Sequence, residues 1–323
     1  MTTPLSSAQL QRATVIRGAL LIAVAAALWA TTGIAAKFLF NDSVMTPITL
    51  GFFRLTIAFP CFFLLMFWEQ RSLSFSKARS NDPAPEANRI RLTLKTLIAL
   101  AALGLFQAAY QGTYLVAVEL IGAGIATLIA LCVSPVLVAL MAAPLLGERP
   151  GLVTWLALLA AVAGTVLLVA GDIETTGQLR LGGLLVALMA AFVYAGFTLT
   201  SRHAAAGAPV FTTAFVCFFT GALVLLPIVA MSGGFDELGT LTWVDWSLVV
   251  YIGLVPTCLG YLCFFAGMKA TPATTSSIIV TLEPLFVAVL AWVILGEMLG
   301  TAGVIGAVVL TLAVIVASRS ARA

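Results

Sequence analysis

Two ionisable side chains, Arg54 and Glu283, lie deep within long apolar stretches of the sequence. A charge within membrane hydrocarbon is costly, so such residues face the protein interior and mark ligand or ion pathways. We hypothesise that Arg54 receives a substrate carboxylate and that Glu283 receives an amine or a proton. Two structural alternatives stay open: an Arg54–Glu283 ion pair, or an Arg54 that binds backbone carbonyls.

A stripe of polar side chains is formed by Gln107, Tyr110, Gln111 and Tyr114. Their spacing of three and four residues places them on one face of a helix. Two amides and two phenols are costly against lipid, so this face should point into the protein. The stripe predicts the lining of a cavity, and hydrogen bonding between neighbouring helices is the alternative interpretation.

Further aromatic residues lie near the middle of apolar segments, where Trp and Tyr are not usually enriched. Trp29 and Thr32 share one helix face, Tyr194 and Thr198 share another, and Tyr261 is placed similarly. Together they indicate an aromatic cavity suited to an organic solute. Ordinary helix packing is the alternative for each ring.

The amino-acid composition indicates whether water or lipid surrounds the protein. The chain is 62% hydrophobic and 9% charged, with a mean hydropathy of +1.13. A water-soluble domain carries roughly 25% charged residues. Most of this surface must therefore face lipid, where spanning elements are helices or closed barrels. The apolar runs are continuous rather than alternating, which predicts an all-α integral membrane protein.

The apolar runs predict ten transmembrane helices, each close to the ~20 residues that cross a bilayer. The predicted spans are 18–39, 47–68, 96–118, 122–145, 151–170, 182–202, 209–231, 246–268, 273–295 and 299–317.

The sequence repeats itself at a constant offset. Ser134-Pro135 through Leu146-Gly147-Glu148 matches Glu283-Pro284 through Leu295-Gly296-Glu297, and Gly18, Trp29 and Lys37 match Gly183, Tyr194 and Arg202. Because each copy has five helices, the second copy starts on the opposite side of the membrane. We therefore predict two inverted five-helix repeats, as in many secondary transporters. A duplication without a transport role is the alternative.

Pro135 and Pro284 occupy matching positions in the two copies and are predicted to kink helices 4 and 9. Paired interruptions of this kind point to a binding site between the halves.

Lys and Arg residues concentrate on the side of the membrane that holds the N-terminus, with Lys37 and Arg180 on the other side. Because cytoplasmic segments are enriched in these residues, both termini are predicted to be cytoplasmic. The predicted organisation is an N-terminal cytoplasmic tail at 1–17, a first five-helix repeat at 18–170 with a cytoplasmic loop at 69–95, and a second repeat with the C-terminal tail at 171–323.

Several classes of protein are disfavoured by what the sequence contains. The net charge of +3 arises without a basic, aromatic-rich cluster, so no nucleic-acid partner is expected. The single histidine and the absence of hydrolase or nucleotide-binding motifs argue against an enzyme, a metal site or a cofactor. The five cysteines lie inside apolar runs and are interpreted as packing residues.

Leu28-Trp29-Ala30 with Lys37, Arg54 followed by Ala58, and the two proline-bearing helices that end in Leu-Gly-Glu resemble the drug/metabolite transporter superfamily. More narrowly, they resemble its ten-helix EamA-type exporters. The resemblance covers nearly the whole chain except 1–17 and 69–95. It implies a solute exporter whose cavity is lined by helices 1–4 and 6–9, with helices 5 and 10 peripheral. Ser134 stands opposite Glu283 in the repeat, so a role for that acid is not duplicated.

The function predicted from these features is secondary transport by alternating access, exporting small metabolites. Arg54 and Glu283 at similar depth favour a zwitterionic solute, and some EamA-type proteins export amino acids, so neutral or aromatic amino acids are the predicted substrates. A multidrug or lipid-type efflux carrier for amphipathic solutes is the alternative, with an intramembrane enzyme or channel disfavoured. The predicted setting is the lipid bilayer of a bacterial inner membrane, and the oligomeric state stays open, with a monomer favoured.

Overall fold

The computed structural model describes residues 7–79, 94–121, 123–169, 181–296 and 300–320. Within these ranges the secondary structure is helical. The first half contains α1 (Ser7–Asp42), α2 (Pro47–Arg79), α3 (Leu94–Ile121), α4 (Ala123–Leu146) and α5 (Leu152–Val169). The second half contains α6 (Leu181–Gly207), α7 (Val210–Met231), α8 (Trp243–Ile252), α9 (Gly260–Met268), α10 (Ala273–Val280), α11 (Glu283–Leu295) and α12 (Thr301–Ser320).

Two of the predicted spans consist of two helices each. A π-helical segment, Gly253–Leu259, joins α8 to α9, and a short turn at Thr281 and Leu282 separates α10 from α11. A 3-10 helix, Asp236–Thr240, precedes α8. The structure therefore has a helical segment at each predicted span, and two of these are internally irregular.

The prediction of an all-α integral membrane protein is confirmed. In the part of the chain that the structure describes, eight helical segments are long and apolar enough to cross a membrane, and Leu152–Leu168 is a shorter apolar helix. The remaining segment, α3, has 28 residues and carries the polar stripe of Gln107, Tyr110, Gln111 and Tyr114.

Two predicted segment boundaries differ from the structure. The predicted loop at 69–95 begins within a helix, because α2 continues to Arg79, and residues 80–93 of that loop lie outside the described residues. The predicted tail at 1–17 also contains helix, because α1 begins at Ser7. Both extensions are polar, and a helix that leaves the bilayer needs no apolar surface to continue.

The largest interfaces between the two halves come in corresponding pairs. Helix α3 packs on α6 and α7, and the α8–α9 span packs on α1 and α2. Helix α4 packs on α6, as the α10–α11 span packs on α1. Helices α2 and α7 pack on each other, and so do α5 and α12. The α5–α12 contact is very close, since a Cβ on Gly306 would lie 2.6 Å from the carbonyl oxygen of Gly164.

The duplicated Leu-Gly-Glu sequence contains a helix C-cap. Gly147 and Gly296 both have left-handed backbone conformations, with φ of 70° and 73°. The amide of Gly147 donates to the Ala143 carbonyl and that of Glu148 to the Ala142 carbonyl, which ends α4. Glycine adopts this conformation at the lowest cost, so it ends the corresponding helix in each half.

Candidate functional site

Arg54 lies on α2 and is held by a hydrogen bond to the α8–α9 span. Its Nε donates to Oγ1 of Thr257 over 3.1 Å, and the side chain is partly exposed. Among the described residues, its terminal nitrogens Nη1 and Nη2 have no hydrogen-bond partner. A guanidinium with two free terminal nitrogens can receive a carboxylate through two parallel hydrogen bonds.

Glu283 is the first residue of α11 and directly follows the turn after α10. Its side chain is partly exposed, and its carboxyl oxygens have no hydrogen-bond or ion-pair partner among the described residues. The N-terminus of a helix is a favourable place for a carboxylate. An unpartnered acid at this depth is free to interact with a ligand.

Arg54 and Glu283 are near each other without forming an ion pair. Their charges interact, but no nitrogen–oxygen contact of 4 Å or less joins them. The alternatives of a direct ion pair and of an Arg54 held by backbone carbonyls are therefore not what this conformation contains. Neither side chain is therefore neutralised by an ion pair with the other.

Several of the predicted aromatic residues contact one another in the interior. The ring centroids of Trp29 and Tyr261 are 4.8 Å apart, and those of Tyr110 and Tyr194 are 5.0 Å apart. The phenols of Tyr110, Tyr114, Tyr194 and Tyr261 all lie within electrostatic range of the Glu283 carboxyl group. Through Phe197, which contacts both Tyr194 and Tyr261, the structure joins the predicted aromatic residues of α1, α3, α6 and α9 into one group of rings.

The polar stripe of α3 is turned inward as its spacing predicts. Nε2 of Gln107 donates to the hydroxyl of Tyr261 over 2.9 Å, and the hydroxyl of Tyr114 pairs with that of Thr127 over 2.6 Å. Gln111 is buried against Gly51 of α2. The stripe therefore includes hydrogen bonds between helices, which was the alternative interpretation of the pattern. Tyr110 instead contributes its ring to the group of contacting aromatic residues.

Unused hydrogen-bonding groups also lie on α1. Nε1 of Trp29 and Oγ1 of Thr32 are buried, and no partner lies within hydrogen-bonding distance among the described residues. Buried polar groups are normally paired, so these two are exceptions, and Nε1 of Trp29 faces Gly260 of α9. Thr198 differs from them, because it is 1% exposed and its hydroxyl donates to the Tyr194 carbonyl.

The two matched prolines have different effects on their helices. Helix α4 continues through Pro135, which lies inside it. Pro284 instead stands in the first turn of α11, after the interruption at Thr281 and Leu282. The prediction of a kink at a mid-helix position of helix 9 needs this correction, because the span is broken into two helices. A broken helix at membrane depth is tolerated where it lines a cavity or is buried in protein.

The sequence interpretation missed Thr257 and the π-helical segment that contains it. Pro256 inside an apolar span was the available signal, since proline removes a backbone donor. It also missed the phenylalanines packed around Tyr261, among them Phe218 with ring centroids 4.8 Å apart. Their positions depend on which helices meet, which an apolar run does not specify.

A cluster of hydrogen bonds and one ion pair connects four helices at one end of the bundle. Oε1 of Glu148 accepts from Nε of Arg202 over 3.1 Å, and Oε2 accepts from the amide of Ala273 over 2.8 Å. Nη1 of Arg202 also donates to the carbonyls of Met268 and Lys269. Helices α4, α6, α9 and α10 therefore meet at this cluster, on the side where α12 ends beside the start of α5.

The fold and this interior define a polytopic helical membrane protein with a polar, aromatic centre. Residues 16–170 and 181–319 each match the model of the EamA-like transporter family. The chain belongs to the EamA-like transporter family and is a multi-pass membrane transporter. The resemblance to the drug/metabolite transporter superfamily is thereby confirmed.

Similar proteins extend over nearly the whole chain. The protein named uncharacterized transporter YwfM of Bacillus subtilis is 29% identical over 303 residues, 94% of each chain. The protein named uncharacterized inner membrane transporter YicL of Salmonella typhimurium is 26% identical over 91% of this chain and 94% of its own. A crystal structure at 22% identity superposes with a TM-score of 0.71, covering 94% of this chain and 98% of the other.

Proposed function

We propose that this transporter exports neutral or aromatic amino acids by alternating access around Arg54 and Glu283. The observation that carries the proposal is that these two opposite charges lie within electrostatic range of each other without forming a mutual ion pair. An α-amino acid presents a carboxylate and an ammonium group close together. Arg54 would bind the carboxylate, Glu283 the ammonium group, and Trp29, Tyr110, Tyr194 and Tyr261 the side chain.

Alternating access is supported by features that occur once in each half. The family model matches two separate segments, the interfaces between halves form corresponding pairs, and Gly147 and Gly296 are equivalent caps. Two inverted five-helix repeats with a site between them can open that site to either face. We place both termini in the cytoplasm and the protein in a bacterial inner membrane, on the distribution of Lys and Arg.

The test is efflux from liposomes that contain only the purified protein. They are preloaded with amino acids and common metabolites and assayed with and without a pH gradient. We expect saturable release of neutral or aromatic amino acids, which Arg54→Gln abolishes and Lys37→Gln, a cation of α1 with an exposed side chain, preserves. Release that is independent of Arg54, or absent for every amino acid, would refute the proposal.

One observation favours the second candidate, an efflux carrier for lipid-like or amphipathic drug molecules. An apolar groove of about 350 Å³ opens on the lipid-facing side between α3, α6 and α7. Gly112 lies in this groove, and a Cβ there would meet no atom within 4 Å. In the same liposomes, efflux of a lipophilic cation or a fluorescent lipid, with no amino-acid release, would identify this activity.

A further inference from the structure

Pro256 changes the hydrogen bonding of one backbone carbonyl at the π-helical segment Gly253–Leu259. Proline has no amide hydrogen, so the carbonyl of Ile252, four residues earlier, lacks its usual α-helical donor. The hydroxyl of Thr257 donates to that carbonyl over 2.7 Å. Thr257 is fully buried, and its single proton is committed to this bond.

The Thr257 oxygen is consequently left as a hydrogen-bond acceptor, and Nε of Arg54 donates to it over 3.1 Å. The π-helical segment lies very close to α2 at this point. A Cβ on Gly253 would come within 2.6 Å of the Ile57 side chain, one turn along α2 from Arg54. Close packing and the hydrogen bond therefore both hold Arg54 against the α8–α9 span.

The hydrogen bond from Nε to Thr257 determines which edge of the Arg54 guanidinium is open to a ligand. The group is planar, and a carboxylate can approach either its Nε–Nη edge or its Nη1–Nη2 end. Thr257 occupies Nε, so the first approach is blocked. The second remains open, because Nη1 and Nη2 have no hydrogen-bond partner among the described residues.

We propose that Thr257 is a specificity-determining positioning residue, which orients Arg54 so that its two terminal nitrogens bind a carboxylate end-on. This inference rests on the proposed function, in which Arg54 receives the substrate carboxylate. Without Thr257 the guanidinium can rotate, and its preference for a planar, two-oxygen group falls. The loss would appear as reduced discrimination between ligands with and without a carboxylate.

The test compares Thr257→Val, which keeps the shape but removes the hydroxyl, with Thr257→Ser, which retains it. The probes are L-phenylalanine and phenethylamine, which share the ring and amine but differ in the carboxylate. We expect Thr257→Val to lower the preference for phenylalanine by about tenfold, the effect of one ordinary hydrogen bond, mainly through KM. Thr257→Ser should behave as the wild type does.

A matched control is Thr165→Val on α5. Thr165 is also buried, and its hydroxyl donates to the Ala161 carbonyl over 2.9 Å, but it has no contact with Arg54. Thr165→Val should leave the preference for phenylalanine over phenethylamine unchanged. A Thr257→Val protein that keeps the wild-type preference overturns the inference alone. A wild type that shows no preference for the carboxylate overturns the proposed function as well.

Discussion

At the scale of single residues, the centre of this protein is unusual in what it leaves unpaired. Arg54 uses one nitrogen on Thr257, and Glu283 uses none of its oxygens on the described residues. Buried or partly buried charges are normally neutralised by a partner. This is consistent with the proposal that a substrate supplies the missing partners.

Glu283→Gln is expected to lower amino-acid efflux by about tenfold or more, because a neutral amide cannot replace the charged hydrogen bond to an ammonium group. Gln preserves the shape of the side chain at the start of α11. The measurement is Vmax/KM in liposomes over a range of pH. Ser134→Ala at the matching position of α4 is the control and should transport normally. Transport by Glu283→Gln that equals wild type at every pH would remove Glu283 from the mechanism.

At the scale of helices, the two halves differ most where α10 and α11 meet. The turn after Val280 separates them, while α4 runs uninterrupted through Pro135. A broken helix can change the angle between its two parts without unfolding either. We therefore expect hinge motion to be greater at the α10–α11 turn than in α4.

Pro284→Ala should restore an amide donor toward the Val280 carbonyl and allow α10 and α11 to join. We expect slower turnover with little change in thermal stability, since proline is well tolerated in a first helical turn. Pro135→Ala should slow turnover less, because α4 is already continuous. Efflux rates and melting curves of both variants test this, and equal effects of the two substitutions would argue against a hinge at α10–α11.

The α5–α12 contact provides a prediction about stability. A side chain on Gly306 would collide with the backbone of Gly164 and Leu168. Gly306→Val should therefore destabilise the protein by about 1–3 kcal/mol, the usual cost of overpacking. Gly112→Ala, which adds a Cβ into open space, is the control for introducing a side chain in a membrane helix. Thermal unfolding in detergent measures both, and an unchanged Gly306→Val midpoint would contradict the close contact.

The sequence predicts the helical segments well and their internal irregularities poorly, for a physical reason. Long apolar runs report the thickness of the bilayer, and Arg54 and Glu283 stand out because charge is rare there. Pro256 gives no indication that Thr257 will bond both a carbonyl and Arg54, because that depends on α2 lying alongside. The extension of α2 to Arg79 was missed because polar residues beyond a span resemble a loop whether or not they remain helical.

At the scale of the whole molecule, the Glu148–Arg202 cluster closes one end of the bundle. It connects the ends of α4, α6 and α9 with the start of α10, and so spans both halves. Each charged group contacts backbone as well as its partner. The cluster depends on the positions of the two side chains as much as on their charges.

Glu148→Gln or Arg202→Gln should each destabilise the protein by about 1–3 kcal/mol, since each leaves a charged group without its partner. The exchange Glu148→Arg with Arg202→Glu should not restore stability. The exchanged arginine cannot accept from the Ala273 amide, and the exchanged glutamate cannot donate to the carbonyls of Met268 and Lys269. Melting temperatures in detergent test this, and full rescue by the exchange would show that the ion pair alone matters.

The unpaired Arg54 and Glu283 have an electrical consequence. When both are ionised, their charges sum to zero, and a zwitterionic amino acid adds no net charge. Moving one elementary charge across 100 mV changes the free energy by about 2.3 kcal/mol. A transport cycle that moves no net charge therefore does not depend on the membrane potential. The rate of efflux should then be the same with and without a potassium diffusion potential set with valinomycin. A voltage-sensitive rate would instead indicate that a net charge, such as a proton bound by Glu283, is transported in each cycle, and the cell's membrane potential would then become part of the driving force.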